Sequence, residues 1–196
     1  MTGSNRTLSM ALAALAAASI AGCASAPSSE APAAPAAAPA PAASTVASAT
    51  ANLASASGSL VSGRLSIVPM GDGVHVTGEI GGLQGGGSHG FHIHEKGDCS
   101  AVDASSAGGH FNPAAQPHGR AGQGPHHAGD NDNLVADAQG VAHVDAHFAG
   151  VTLGGGAAND ILGRAIVVHA APDDYSSQPS GNAGARVACG VIQAAP

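Results

Sequence analysis

Residues 88–99 of the chain read SHGFHIHEKGDC and place two histidines, His92 and His94, at alternate positions. Residues two apart in a strand point to the same face, so a strand here would present both imidazoles to one ion. Phe91 and Ile93 would then point toward a core and hold the pair on a rigid element. Paired histidines on a half-buried strand are also common without a metal, so this interpretation depends on the other ligands that the chain supplies.

The sequence around this stretch is typical of a protein built from short strands. Apolar or alternating runs separated by glycine occupy residues 60–69, 74–80, 90–94, 133–136, 140–146 and 164–169. Gly71-Asp72-Gly73 is a hairpin signal. Because no convincing amphipathic helix is present, the runs predict an all-β fold, a Greek-key antiparallel barrel or sandwich of about eight strands.

Two long connections interrupt the strands. Residues 97–132 and 170–186 are rich in Gly, Pro, His, Asp and Ser. Loops of this length inside a compact domain are usually functional, so we expect them to contribute to the site.

The N-terminal region has a different composition, which predicts export. Asn5 and Arg6 precede an apolar run over 8–20, a pattern typical of a secretory signal peptide over 1–22. The following Ile20-Ala21-Gly22-Cys23 resembles a bacterial lipobox, in which Cys23 becomes the lipid-modified first residue of the mature protein. A buried cysteine after an apolar helix is the alternative.

Residues 23–55 are nearly all Ala, Pro, Ser and Thr, with prolines spaced so that no helix can propagate. We interpret this segment as a disordered tether between the lipidated Cys23 and a domain over 56–196. Ala24, next to the cysteine, resembles lipoproteins sorted to the outer membrane. This predicts a lipid-anchored protein in the periplasm of a bacterial cell envelope. A spacer with no required reach is the alternative.

The charged residues are few and mostly acidic. Six Lys and Arg face thirteen Asp and Glu, and loss of Arg6 with the signal peptide would leave five basic residues. The mature protein would then carry a net charge of about −8, so no nucleic-acid partner is expected.

Cysteine usage predicts one disulfide. With Cys23 as the anchor, Cys99 and Cys189 remain, an even pair in a chain sent to an oxidising compartment. A bridge between them would close a loop of about ninety residues and contribute on the order of 4–5 kcal/mol in the chain-entropy model. Two thiols acting as metal ligands are the weaker alternative, because neither lies in a Cys-X-X-Cys pair.

The histidines and one aspartate supply two sets of metal donors. The first set is four imidazoles: His92, His94, His110 and His169. The second set is three imidazoles and a carboxylate: His110, His118, His127 and Asp130. Four imidazoles suit copper(II), and three imidazoles with a carboxylate suit a closed tetrahedral zinc site. His110 can belong to both sets because an imidazolate has two nitrogens.

Five motifs together resemble the copper/zinc superoxide dismutases of the bacterial secreted type. They are HGFHIHEKGDC at 89–99, GHFNP at 109–113, HHAGD at 126–130, GRAIVVHAAPDDY at 163–175 and NAGARVACGVI at 182–192. The motifs follow in the family's order and span essentially the whole domain. The resemblance implies one copper and one zinc ion per chain, bound by the two donor sets, and superoxide as the substrate.

Further roles follow from the resemblance. Asp173 matches the family carboxylate that hydrogen-bonds a copper ligand and a zinc ligand, here His92 and His118. Arg186 matches the arginine beside the copper that attracts the anionic substrate. One superoxide would reduce copper while His110 takes up a proton, and His110 would supply a proton when a second superoxide is reduced to peroxide. Zinc would order the loop and set the geometry of His110.

The remaining histidines are assigned by their spacing. His127, and not His126, stands three before Asp130 and nine after His118, as the family pattern requires. His89 matches a structural hydrogen-bonding position. Three others match no ligand motif and are expected on strand or surface positions: His75, His143 and His147.

One departure from the family affects the substrate. The loop after His169 reads AAPDDYSSQPSG and lacks the Glu and Lys with which animal members guide superoxide. A net negative protein repels an anion, so local attraction must come from Arg186 and from Lys96. Two other functions are considered: a copper/zinc-binding envelope lipoprotein without turnover, and a structural envelope domain. The sequence also leaves a homodimer open.

Overall fold

The fold is an antiparallel sheet that curls on itself. The computed structural model describes residues 43–196 and contains nine strands there. They are β1 Ala49–Ser55, β2 Ser62–Met70, β3 Gly73–Gly81, β4 Ser88–His89, β5 Phe91–His94, β6 Leu134–Val135, β7 Ala142–Ala149, β8 Ala165–His169 and β9 Arg186–Ala194. A 3₁₀ helix, Ser105–Ala107, lies in the loop after β5. Nowhere in residues 43–196 is a helix long and apolar enough to cross a membrane.

Seven strands form one sheet in the order β5-β8-β9-β1-β2-β3-β7, and β4 pairs with β6 separately. All pairings between these strands are antiparallel. The rings of Phe91 on the edge strand β5 and Phe148 on the other edge strand β7 have centroids 5.9 Å apart. The two edges therefore meet across one core, and the predicted all-β antiparallel architecture is confirmed.

Alternation along β7 shows how the sheet acquires its apolar face. Ala142, Val144, Ala146 and Phe148 are buried, and the residues between them are exposed. The strand β8 differs, because all its residues are buried. Its outward-facing residues pack against alanines of the loop after β5, in a second apolar cluster that contains Ala104, Ala107, Ala165 and Val167. A strand covered on both faces carries a continuous apolar run instead of alternation.

The predicted start of the domain at residue 56 is wrong. β1 Ala49–Ser55 lies between β2 and β9 in the sheet, with Ala49 and Ala51 fully buried and Leu53 nearly so. The backbone N–H of Val46 also donates to the Leu153 carbonyl at 3.0 Å. Alanine adds little apolar surface and is less common in strands than β-branched or aromatic residues. These positions are therefore recognisable as a strand only from their pairing with β2 and β9. The predicted signal peptide, Cys23 and the predicted tether up to residue 42 lie outside the described residues.

The predicted disulfide is confirmed. Cys99 and Cys189 are bonded, with Cα atoms 5.7 Å apart and a sequence separation of 90 residues. The bond ties the long loop 95–133 to β9. A second long loop, 170–185, joins β8 to β9. Both loops therefore start or end at strands on the β5 side of the sheet, where the histidines lie.

Candidate metal centre

Strand pairing brings the first donor group together. His92 and His94 lie on β5, and His169 is the last residue of β8, which pairs with β5. His110 comes from the long loop and joins this sheet edge through an isolated bridge to His94. The four imidazoles are buried, and their ring centroids are as close as 4.0 Å for His92 and His110.

Each of these imidazoles has one nitrogen fixed by the protein. His92 Nε2 hydrogen-bonds Asp173 Oδ2 at 2.8 Å, and His110 Nδ1 hydrogen-bonds Asp130 Oδ1 at 2.7 Å. His94 Nδ1 and His169 Nδ1 hydrogen-bond the carbonyls of Gly108 at 2.9 Å and Gly184 at 3.3 Å. The opposite nitrogens are buried without a hydrogen-bond partner. Donor atoms of the four residues lie within 4.8 Å of one another. A buried nitrogen without a partner costs free energy, so these four atoms need a ligand. Four convergent imidazole nitrogens fit copper.

The second group lies on the other side of His110. The Nδ1 atoms of His118 and His127 lie 3.0 and 3.3 Å from oxygens of Asp130 but have no hydrogen-bond partner. His110 Nδ1 faces the same carboxylate. All four donors are buried and lie within 4.8 Å of one another. Three buried imidazoles and one buried carboxylate fit zinc.

Burial sets the protonation of the imidazoles. Loss of solvent contact lowers the pKa of His92 to about 4 and the pKa of His169 to about 3, and it holds the pKa of His94 well below its ordinary value. Near pH 7 these rings are neutral, which is the form that binds a metal.

The carboxylate of Asp130 stays ionised by a different balance. Burial acts to raise the pKa of Asp130, but hydrogen bonds from His110 and from the backbone N–H of His127 outweigh it and lower the pKa. The backbone N–H of Gly119 also donates to this carboxylate at 3.2 Å. The second group is therefore anionic before any metal binds.

Asp173 connects the two groups as the family motif implies. Its Oδ2 atom lies 2.8 Å from His92 Nε2, and its Oδ1 atom lies 3.0 Å from His118 Nε2. The loop around Asp173 is fixed by Asn133, whose side chain accepts from the Asp173 N–H at 2.8 Å and donates to its carbonyl at 2.9 Å. Sequence reasoning missed Asn133, because a single Asn before a strand gives no signal of a partner 40 residues away.

Gly181 is a second residue that the sequence did not single out. Its φ angle is +67°, and a Cβ atom there would overlap Asp173 Oδ1 and lie 2.7 Å from His118 Nε2. Only glycine therefore lets loop 170–185 approach the Asp173–His118 contact so closely. The Ser-Gly-Asn sequence at 180–182 marks a turn but gives no hint of this contact.

Arg186 is held beside the first donor group. Its guanidinium donates to the carbonyls of Ala104 at 2.7 Å and Gly108 at 2.6 Å. Gly108 also accepts from His94, so Arg186 and a donor imidazole share one carbonyl. A cavity of about 640 Å³ opens here, and its lining includes Arg186, His94, His110 and His169. A small anion that enters this cavity meets a fixed positive charge next to the donor nitrogens.

The structure also separates neighbouring histidines. His127 joins the second group, whereas His126 turns away and its Nδ1 contacts the His127 carbonyl at 2.8 Å. His89 is buried and its Nδ1 donates to the His169 carbonyl at 3.0 Å, so it supports the backbone of a donor. The three histidines without a ligand motif lie on the outer face of β3 and β7, each beside a carboxylate: His75 with Asp145, His143 with Glu79 and His147 with Asp72.

Comparison with known proteins identifies the family. The sequence profile described as copper/zinc superoxide dismutase (SODC) matches residues 61–192. The chain belongs to the copper/zinc superoxide dismutase family. It is 40% identical to superoxide dismutase [Cu-Zn] 2 of Aquifex aeolicus over 68% of this chain and 80% of the relative. It is 46% identical to superoxide dismutase [Cu-Zn] 2 of Mesembryanthemum crystallinum over 67% of this chain and 86% of that relative.

Solved structures show the same dismutase fold. A SOD-like protein from Bacillus subtilis is 39% identical, with a TM-score of 0.65 over 72% of this chain and 95% of that protein. The clock protein EA4 is also 39% identical, with a TM-score of 0.68 over 78% of this chain and 97% of that protein. As a superoxide dismutase, the chain is an oxidoreductase that acts on superoxide, and its two donor groups fit one copper and one zinc ion.

Proposed function

We propose that the chain dismutates superoxide by alternate reduction and oxidation of a copper ion held by His92, His94, His110 and His169. A structural zinc ion would be held by His110, His118, His127 and Asp130. The observation that carries this proposal is the pair of buried donor groups that share His110, with the first group open to a cavity beside Arg186. When bound, copper supplies one-electron redox chemistry, and zinc, which has none, orders its ligands.

The residues around the cavity have separate tasks. Arg186 binds the superoxide anion with its guanidinium, which two backbone carbonyls hold in place, so little order is lost on binding. One superoxide gives up an electron and leaves as oxygen, and a second gains an electron and two protons to leave as hydrogen peroxide. Both protons must therefore reach the bound superoxide in the second half of the cycle.

His110 would hold a proton between the two halves of the cycle. Its Nδ1 is directed toward Asp130, so its Nε2 is the nitrogen on the side of the cavity. Nε2 takes up a proton from water in the first half-reaction and gives it up toward peroxide in the second, and water supplies the other proton of hydrogen peroxide. The carboxylate of Asp130 keeps the ring in this orientation throughout.

Metal analysis of the purified protein together with a superoxide-consumption assay tests the proposal. We expect one copper and one zinc ion per chain and fast turnover that depends on copper. Bound metals without turnover would favour the non-catalytic metal-binding lipoprotein. Light scattering of the same sample tests whether the protein is a homodimer.

We further propose that the mature protein is anchored by a lipid on Cys23 to the bacterial outer membrane, with the enzyme domain in the periplasm. The support comes from the lipobox-like Ile20-Ala21-Gly22-Cys23 and from the Ala24 that follows it. Cys23→Ser should abolish lipid attachment and release active protein from the membrane fraction, because Cys23 is not one of the metal donors. Mass spectrometry and fractionation measure this. Unmodified protein that stays with the membrane would contradict the lipid anchor.

A further inference from the structure

Loop 170–185 lacks the Glu and Lys with which animal relatives guide superoxide. It contains an amide side chain that reaches the second donor group, proposed above for zinc and called the zinc group below. Gln178 Oε1 accepts a hydrogen bond from the backbone N–H of His118 at 2.9 Å. Gln178 Nε2 donates to the His118 carbonyl at 2.9 Å. The two residues are 60 positions apart, so this clasp joins the two long loops.

Within residues 43–196, Gln178 provides the only hydrogen bonds to the backbone of His118. His118 is 3% exposed and lies in a stretch without helix or strand, so no ladder of backbone hydrogen bonds fixes it. Buried backbone N–H and C=O groups need partners, and here one side chain supplies both. Loss of the amide would leave the backbone of His118 free to rotate or to recruit water.

The ring of His118 depends on that backbone. Its Nδ1 atom lies 3.0 Å from Asp130 Oδ2, and its Nε2 atom lies 3.0 Å from Asp173 Oδ1. The ring can reach both carboxylates only when the Cα–Cβ bond of His118 has one orientation, because each ring nitrogen faces a different carboxylate. A rotation of the backbone would break one contact or the other.

We propose that Gln178 is a positioning residue for zinc, which acts by fixing the backbone of His118. The proposal rests on the assignment of His118 to zinc made above. Loop 170–185 would then contribute to zinc retention. Residues that orient metal ligands typically change metal affinity by about 10- to 100-fold when they are replaced.

The chain offers a matched control for this clasp. Asn112 Nδ2 donates to the Gln116 carbonyl at 2.8 Å, and Asn112 Oδ1 accepts from the Gln116 N–H at 3.0 Å. This is the same two-point contact, in the same loop as His118, but Gln116 is exposed and is no metal donor. Replacement of Asn112 therefore tests the general effect of loosening the loop.

The experiment compares the full-length protein with Gln178→Met, Gln178→Ala and Asn112→Ala. Gln178→Met keeps the length of the side chain and removes both hydrogen bonds, and Gln178 is exposed, so the core is undisturbed. We expect zinc release to a chelator to be on the order of ten-fold faster in both Gln178 variants, with Asn112→Ala within about two-fold of wild type. With cobalt(II) in the zinc site, the Gln178 variants should show shifted absorption bands.

Three results would overturn the proposal. Equal acceleration in Asn112→Ala would reduce the role of Gln178 to general loop stability. Wild-type release rates and cobalt spectra in both Gln178 variants would show that the clasp does not position His118. A wild-type protein that takes up neither zinc nor cobalt would instead overturn the assignment of His118 to zinc, and the proposal with it.

Discussion

The two donor groups proposed for copper (the copper group) and for zinc (the zinc group) lie on different kinds of structure. Three of the four copper-group histidines belong to β5 and β8, whose backbones pair residue by residue. All four zinc-group donors lie in loop 95–133, where the described structure has only a short 3₁₀ helix. The copper group is therefore positioned by the sheet, whereas the zinc group is positioned by side-chain contacts between loops.

This difference predicts different responses to perturbation. Donors on paired strands keep their geometry because many backbone hydrogen bonds must break together before they move. Donors on loops depend on individual contacts, here those of Asp173, Asn133 and Gln178, and on the ion itself, since metal binding and loop order are coupled. We therefore expect substitutions to perturb the geometry of the zinc group more easily than that of the copper group.

Replacement of the shared residue should have the largest effect, because His110 is the only donor in both groups. His110→Ala should remove most activity, alter the copper spectrum and weaken zinc binding, while the strands still form. Turnover, electron paramagnetic resonance and metal content measure these effects, and circular dichroism checks the fold. His126→Ala is the matched control, since His126 lies in the same loop outside both groups. Wild-type turnover and spectrum in His110→Ala would refute the shared site.

Arg186 should affect the substrate and neither metal group. Arg186→Glu should lower turnover strongly, by about 10-fold or more, and Arg186→Ala less so, with copper and zinc retained. Wild-type rates should fall as salt rises, because the Debye length shrinks to about 10 Å at 0.1 M. In Arg186→Glu the salt dependence should flatten or reverse.

A matched control for Arg186 is Arg120→Ala, which removes an exposed arginine paired with Asp132. Its turnover and salt dependence should stay close to wild type. Equal rates and salt slopes in all the Arg186 and Arg120 variants would exclude Arg186 from the mechanism.

The buried histidines predict that the metal-free protein loses stability in mild acid. The unfolded chain protonates its histidines below about pH 6.5, whereas the folded pKa of His92 is about 4 and that of His169 about 3. Between these values the unfolded state binds more protons, so the free energy of unfolding falls as the pH is lowered from 6.5 toward 4. For His92 alone the loss is on the order of 3 kcal/mol.

Urea unfolding of the metal-free protein at pH 7, 6 and 5 measures this loss. Metal-free His92→Ala should show a shallower dependence on pH, because one of the responsible rings is gone. A free energy of unfolding that does not change over this range would contradict the burial of neutral imidazoles.

The smallest predicted effect concerns the zinc group alone. Gly181→Ala forces a Cβ into Asp173 and close to His118, so it should weaken zinc binding and destabilise the protein by about 1–3 kcal/mol. Gly122→Ala is the control, because Gly122 also has a positive φ angle, +73°, but its Cβ would meet nothing within 4 Å. Zinc affinity and thermal unfolding are compared. Equal effects would show that backbone strain, and not the approach to Asp173, is the cause.

The all-β class, the disulfide and the proposed donor residues could be predicted from the sequence. His92-Ile93-His94 follows strand periodicity, and the family resemblance favours His127 over His126 by its spacing from Asp130, so these features can be predicted from short motifs. The boundary at residue 56 was wrong because small alanine side chains leave β1 without a local signal, and its burial comes from β2 and β9.

The residues that hold the donors in place are recognisable only in the folded chain. Gln178 and Asn133 contact the backbones of partners 60 and 40 residues away, and Gly181 allows a close approach to Asp173 and His118. Amide side chains and glycines can serve many positions equally well, so their identity alone does not indicate a partner. A metal donor must have a specific chemistry, which the sequence shows, whereas a positioning contact needs only a specific place, which the folded chain provides.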